Sequence, residues 1–304
     1  MDLRRLRYLV AIADCGSFTR AAEMLHTEQP PLSQQIKALE RELGLILFTR
    51  SRQGAVPTEA GALLIEQARV MLEMERQMAS LARGLARGEQ GRLRIGLAGA
   101  VSMLPLVPRA IRAFRERWPE IVITMEESNT PALCEALRER RIDIAVVRPP
   151  APDPDIVVRH LLDEPTVIAL PSDHPRASGK GLRLSAVADE PFIIFERVLG
   201  PGFYDAIIAA CQRAGFVPRF GQSAPQIAAT VSLVAAGLGI SVVPSCLDQI
   251  HAGGVTYHAI IGPAPRATLA IAARDEAPSL PAQHFEALLR EAAGRIGAGD
   301  PAAL

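Results

Sequence analysis

A chain of 304 residues, 49% hydrophobic, with 33 basic and 33 acidic side chains and a formal net charge of zero, has the composition of a folded protein of two or three domains and excludes a disordered or polyionic one. Cys15, Cys134, Cys211 and Cys246 stand far apart with no CxxC pair, so neither a disulfide framework nor a zinc or iron–sulfur site is expected, and they read as reduced thiols. The opening Met1-Asp2-Leu3-Arg4-Arg5 lacks a signal peptide's apolar core, and Pro225, Gly237, Gly239 and Pro244 break the uncharged run between Arg219 and Asp248; the expectation is a cytoplasmic chain that does not meet a membrane.

The first 58 residues have helical periodicity. Leu3, Leu6, Val10 and Ala13 form one apolar stripe, which Cys15-Gly16-Ser17 ends. Ser17 suits the N-cap of a short helix from Phe18 to Leu25, in which Ala21 and Ala22 permit close approach of a neighbour. A third helix opens at Gln29-Pro30-Pro31, where proline fits the first turn, and runs to Leu43; Leu32, Ile36, Leu39 and Leu43 make its buried stripe and leave Gln29, Ser33, Gln34 and Lys37 outside, with Gln35 at the border. Leu45–Thr49 and Gly54–Pro57 can pair as a hairpin with Arg50 and Arg52 at its tip. Two short helices around a tight turn, the second presenting Gln, Ser and Lys near its start, fit a helix-turn-helix in a major groove, with the two arginines on phosphate. A plain bundle with a solvated polar face fits as well, since eight basic side chains against six acidic ones give the segment little positive charge.

From Thr58, an N-cap followed by Glu59 at the positive end of the helix dipole, a long helix is predicted to Arg87. Leu64, Met71, Met78 and Leu85 recur every seven residues, with Ala60, Gln67, Met74 and Leu81 at the second core position of the heptad. The seam reads as a dimer interface, the alternative being one helix lying on its own domain.

After Gly88-Glu89-Gln90-Gly91 the pattern becomes α/β: strand Leu93–Leu97, helix Met103–Trp118, strand Ile121–Glu126, helix Pro131–Arg140 and strand Ile142–Val147. A second set follows at Thr166–Leu170, Phe192–Phe195, Gly202–Gly215, Pro225–Ala236 and Ile240–Val243, before a strand near Thr268–Ala273 and a closing helix near Gln283–Arg295. Two lobes crossed twice by the chain leave a cleft at the strands' carboxyl ends. Polar residues expected there are Ser102, Ser128, Asn129, Thr130 and Arg148. Arg148, among Val146, Val147 and Pro149, needs either an anion or a partner carboxylate. Pro201-Gly202-Phe203 could offer backbone amides at a helix start or be an ordinary loop.

Enzyme motifs are missing: Gly96-Leu97-Ala98-Gly99 is not GxGxxG, no GxxxxGK[ST] occurs, and Gly239-Ile240-Ser241-Val242-Val243 lacks the second glycine of a nucleophile elbow. The six histidines have no metal-ligand spacing, so no metal or cofactor is expected.

The chain resembles the LysR-type bacterial transcription regulators over essentially its whole length. The residues that carry this are Leu6-Arg7-Tyr8-Leu9-Val10, Gly16-Ser17-Phe18-Thr19-Arg20-Ala21-Ala22, Gln29-Pro30-Pro31-Leu32-Ser33-Gln34-Gln35-Ile36, Leu39-Glu40, Leu43-Gly44, Leu47-Phe48 and Thr58-Glu59-Ala60-Gly61, with Arg141-Ile142-Asp143 and Val234-Ala235-Ala236-Gly237-Leu238-Gly239-Ile240 later. The resemblance implies a non-enzymatic α/β protein with an all-α winged helix-turn-helix at 1–58, a linker and dimerisation helix at 59–89, and a two-lobed, periplasmic-binding-protein-like effector domain. Lobe I would take 92–162 and 267–300, and lobe II 163–266. It implies promoter DNA, a small effector and the chain itself as partners, in a dimer or tetramer, with RNA polymerase a further candidate. Thr19, Arg20, Gln29, Pro30, Ser33, Gln34, Gln35, Lys37, Arg50 and Arg52 fall at DNA-contacting positions. The effector domain is similar to the benzoate- and muconate-responsive branch, which implies a carboxylate effector at Ala100, Ser102, Ser128, Asn129, Thr130, Arg148, Pro201 and Phe203. Two departures stand out: Gln34 occupies a position often held by arginine, and Ala100 one where serine is expected.

Overall fold

The computed structural model describes residues 1–51, 54–179, 181–249 and 253–297, which fall into two compact units, Met1–Ala86 and Arg87–Leu304. No helix among the described residues is long and apolar enough to cross a membrane.

The first unit contains α1 (Leu3–Cys15), α2 (Phe18–Met24), α3 (Gln29–Leu43), β1 (Phe48–Ser51), β2 (Gly54–Pro57) and α4 (Glu59–Ala86). Local chemistry sets the ends: the side chains of Asp2 and Ser17 accept the amides of Arg5 and Arg20 at the starts of α1 and α2, and left-handed Gly16 and Gly44 stop α1 and α3. Leu6, Leu9 and Ile12, Ala21 and Ala22, Leu32, Ile36 and Leu39, and Ile65, Ala68 and Leu72 of α4 close one core. Each large side chain buried there contributes about 1.5–3 kcal/mol, more than the helix-propensity differences among these residues, so the stripes decide the packing.

The hairpin's second strand lies where it was expected, and its first is shifted along the chain. Its first strand begins at Phe48, because Leu45 and Ile46 are exposed and Leu47 turns inward. Glu40 fixes that turn by accepting the amides of Leu47 (2.8 Å) and Phe48 (3.4 Å). The amide of Ala55 donates to the Gly16 carbonyl at 2.9 Å, which ties the hairpin to the α1–α2 turn. Gly54, at φ 119°, lies so close to that carbonyl that a Cβ would collide with backbone. Gly54→Ala is expected to destabilise this unit by about 1–3 kcal/mol. Urea unfolding checks this, and an unchanged midpoint would show that the hairpin moves aside freely.

The second unit runs β3 (Gly91–Ala98), α5 (Leu106–Arg117), β4 (Ile121–Ser128), α6 (Thr130–Arg138), β5 (Ile144–Val147), β6 (Ile156–Glu164), β7 (Thr166–Pro171), β8 (Gly181–Leu182), β9 (Pro191–Phe195), α7 (Pro201–Arg213), β10 (Arg219–Ala224), α8 (Ala229–Ala235), β11 (Ser241–Pro244), β12 (Val255–Ile260), β13 (Ala267–Arg274) and α9 (Leu280–Gly297). Among the described residues one sheet has the order β4-β3-β5-β13-β6; β4, β3 and β5 are parallel, while the returning β13 is antiparallel to β5 and β6. The second lobe has the sheet β11-β7-β12-β8 and the parallel pair β9 and β10, and the chain passes between lobes at Pro165 and again between β12 and β13. Apolar residues of both lobes, including Leu97, Val146, Ala169, Val231 and Leu247, share one core.

Four strands, β6, β8, β10 and β12, were not expected from the pattern. All but one residue of β10 is exposed and β6 has no apolar alternation, so neither carries a period-two signal. The helix predicted from Met103 begins at Leu106 after a 3-10 turn at Gly99–Met103, and the one predicted from Pro225 is helical only at Ala229–Ala235.

Candidate DNA-binding face and ligand cleft

The buried stripe of α3 turns Gln34 and Lys37 outward; Thr19, Arg20 and Pro30 are also exposed, while Gln29 and Ser33 are half-buried. Gln35 has a different place. Its Oε1 accepts from Arg5 Nε at 3.0 Å, and Arg5 also pairs with Glu42 at 2.7 Å, so this glutamine ties α3 to α1. Arg50 lies in β1, opposite Ala55, and Arg52 lies outside the described residues. The depression beside α3 that includes Gln34, Lys37, Arg41 and Ile46 is open surface relief, and its one carboxylate, Glu40, is engaged by the Leu47 and Phe48 amides.

One face of α4 lies on its own domain, and the heptad face is left open. Ile65, Ala68 and Leu72 pack into the core of the first unit, and Leu64 is half-buried at its edge. The rest of the seam is bare: Met71, Met74, Met78, Leu81 and Leu85 are exposed, Met78 by 68%.

In the second unit a cavity of about 140 Å³ lies between the lobes. Ala98, Glu127 and Ser128 reach it from the ends of β3 and β4, Asn129 and Thr130 from the start of α6, Arg148 from just beyond β5, Leu199 and Gly200 from before α7, and Pro225, Gln226 and Ile227 from before α8. Asn129 caps α6 by accepting the Ala132 amide at 2.9 Å. The Thr130 hydroxyl donates to the Arg148 carbonyl (3.1 Å) and accepts the Arg148 amide (3.2 Å), locking α6 to β5.

Arg148 is 3% exposed and does have a partner carboxylate: one terminal nitrogen donates to Glu164 Oε2 at 2.7 Å and the other to the Ala267 carbonyl at 3.1 Å. Its Nε is buried with no hydrogen-bond partner. Glu164 accepts the Cys246 amide on its other oxygen at 2.7 Å. Burial, reinforced by Glu164, holds the Cys246 thiol far above the ordinary thiol range, which keeps it neutral.

The remaining expected residues divide. Ser128, Asn129, Thr130 and Arg148 meet in the cavity. Ser102 stands beside it, its hydroxyl donating to Glu127 Oε2 at 3.1 Å. Ala100 is buried, its carbonyl 3.6 Å from the Cys246 thiol. Phe203 is not a cavity wall but lies under Arg148, ring centroid 5.9 Å from the guanidinium carbon, and stacks on Phe195. Pro201 starts α7, and Gly202 meets the Pro149 carbonyl so closely that no Cβ fits; these residues pack α7 against the end of β5. Glu127, Gln226 and Glu164 escaped the sequence reading.

A winged helix-turn-helix with an outward polar helix, in one chain with a two-lobed domain around a cleft, defines a DNA-binding protein with a ligand domain. Residues 3–62 match the family described as "Bacterial regulatory helix-turn-helix protein, lysR family", and residues 86–294 match "LysR substrate binding domain". The chain belongs to the LysR family. It is 35% identical to the HTH-type transcriptional regulator BudR of Raoultella terrigena over 90% of this chain and 95% of that one. It is also 35% identical to the HTH-type transcriptional regulator CatR of Pseudomonas putida, over 86% of this chain and 89% of that one. The benzoate and muconate branch is therefore one neighbour among several. The crystal structure of full-length CbnR complexed with its target DNA superimposes with a TM-score of 0.84 at 27% identity, covering 96% of this chain and all of that one.

Proposed function

We propose that this protein is a promoter-binding transcription regulator whose operator contacts come from α3 and the hairpin, and whose response is set by a small carboxylate held between the lobes. The observation that carries the DNA reading is the outward pair Gln34 and Lys37 on α3, behind which Gln35, Arg5 and Glu40 fix the helix and hairpin. A glutamine amide can pair bidentately with adenine, and a lysine meets phosphate or guanine. Gln34→Ala is expected to weaken the cognate site by about 1–3 kcal/mol and leave random duplex unchanged. Mobility shifts across a salt series test it, and equal losses on both DNAs would remove Gln34 from base reading.

The carboxylate reading is supported by a buried arginine, with one unpartnered N–H, that lines a cavity the start of α6 also enters, since a helix N-terminus favours negative charge. The cavity is below the usual range for drug-sized ligands, which fits an effector of a few non-hydrogen atoms. Such a ligand moves the protein only through its different affinities for two lobe arrangements, and the crossings at Pro165 and between β12 and β13 are where such a change can concentrate.

A further inference from the structure

Glu127 gives the cleft a polarity that a simple anion does not match. Arg148 and Glu127 are the charged residues lining the cavity among those described, one 3% exposed at its floor and the other exposed at its rim. The floor charge is already balanced, because Arg148 is paired with the equally buried Glu164. With Glu164 counted as Arg148's partner, two carboxylates face one guanidinium, and the site carries one uncompensated negative charge at its mouth. Ser102 donates to Glu127 Oε2 at 3.1 Å, which orients the exposed carboxylate at the rim and leaves its other oxygen able to accept from a ligand. A ligand bringing only negative charge adds to this excess; one with a carboxylate at the floor and an ammonium at the rim adds no net charge and sets its positive end against Glu127.

Building on the carboxylate reading above, we infer that the cleft selects small zwitterions, a carboxylate toward Arg148 and the start of α6 with an ammonium group against Glu127, and rejects dicarboxylates. Glu127 is then the residue that determines effector specificity, and Gln226, on the opposite lobe at the same cavity, supplies a neutral amide that tolerates either end.

Calorimetric titration of the full-length protein with propanoate, 3-hydroxypropanoate, 3-aminopropanoate and malonate, and with their four-carbon counterparts, separates the alternatives. The amino acids are expected to bind about tenfold more tightly than the plain acids, with the hydroxy acids between and the dicarboxylates weakest. In Glu127→Gln the amino-to-plain ratio should fall to about one, the plain acids binding at least as tightly as before. Ser102→Ala, which keeps the charge but frees its orientation, should retain the order with a smaller ratio. Dicarboxylates or plain acids binding as tightly as the amino acids would leave a carboxylate cleft standing and overturn this inference. An unchanged ratio in a folded Glu127→Gln would overturn it too, whereas no binding by any probe would overturn both readings; should Glu127→Gln not fold, the ranking by the unaltered protein decides.

Discussion

Replacing Met71 and Met78 together by glutamate is expected to convert the protein to monomers and to abolish cooperative binding to paired half-sites. The two methionines belong to the bare face of α4 that also carries Met74, Leu81 and Leu85, while the opposite face, with Ile65, Ala68 and Leu72, is already packed on its own domain. A helix of 28 residues is about 42 Å long, so the bare face is an extended strip suited to a second helix. If each of those exposed side chains gains roughly 1.5 kcal/mol on being covered, a paired seam reaches on the order of 15 kcal/mol, enough to offset the association cost of about 4–15 kcal/mol. Glutamates at successive first core positions would set like charges against each other across the seam and remove part of that gain. The fold of the first unit should survive, because neither methionine is buried in its core. Sedimentation shows the oligomer and circular dichroism the fold. An unchanged oligomer would mean that self-association uses another surface. Loss of spacing-dependent DNA binding should accompany dissociation, since helix-turn-helix dimers read half-sites about one helical turn or its multiples apart.

What could be read from the sequence follows how local the signal was. The three short helices of the first unit were legible nearly to the residue, because α1, α2 and α3 each combine a 3.6-residue apolar stripe with a cap or a glycine stop, and each of these signals lies within a few positions. The heptads of α4 were legible too, with packing on its own domain as the alternative; what the periodicity left open was that Ile65, Ala68 and Leu72 are the residues facing the core. The cleft was legible in part. Ser128, Asn129, Thr130 and Arg148 sit at strand ends, where topology alone places a ligand. Glu127 was hidden by its position on an edge strand whose residues alternate irregularly between exposed and covered. Glu164 was hidden because it ends β6, a strand with no periodic signal, and because its partner stands sixteen residues earlier in the chain. Arg148 itself announced that it needed a partner; only the folded chain shows which one.

That pairing sets the outcome expected from changing Arg148. Arg148→Ala would leave the Glu164 carboxylate, 1% exposed, with the Cys246 amide as its remaining donor, and breaking a buried pair from one side costs about 3–5 kcal/mol. A bare loss of effector response in that variant would therefore say nothing about effector contact, because the lobes themselves are weakened. The reciprocal Glu164→Gln should be milder, since the amide oxygen can still accept from the guanidinium, yet it leaves a buried positive charge uncompensated. The informative variant is Arg148→Met with Glu164→Gln, which removes both charges and keeps the volume over Phe203. It is expected to recover most of the stability that Arg148→Ala loses, by about 2 kcal/mol or more, because replacing a buried ion pair with neutral groups is often close to neutral. If Arg148 also receives the effector's carboxylate through its unpartnered Nε, the double variant will be folded and will bind DNA but will no longer bind 3-aminopropanoate or respond to it. Urea unfolding, calorimetry and a promoter-reporter assay on this one variant separate the roles. Restored stability with lost ligand binding assigns Arg148 to the effector, whereas restored stability with ligand affinity intact would leave it a bridge within the lobe, joining β5 to the end of β6.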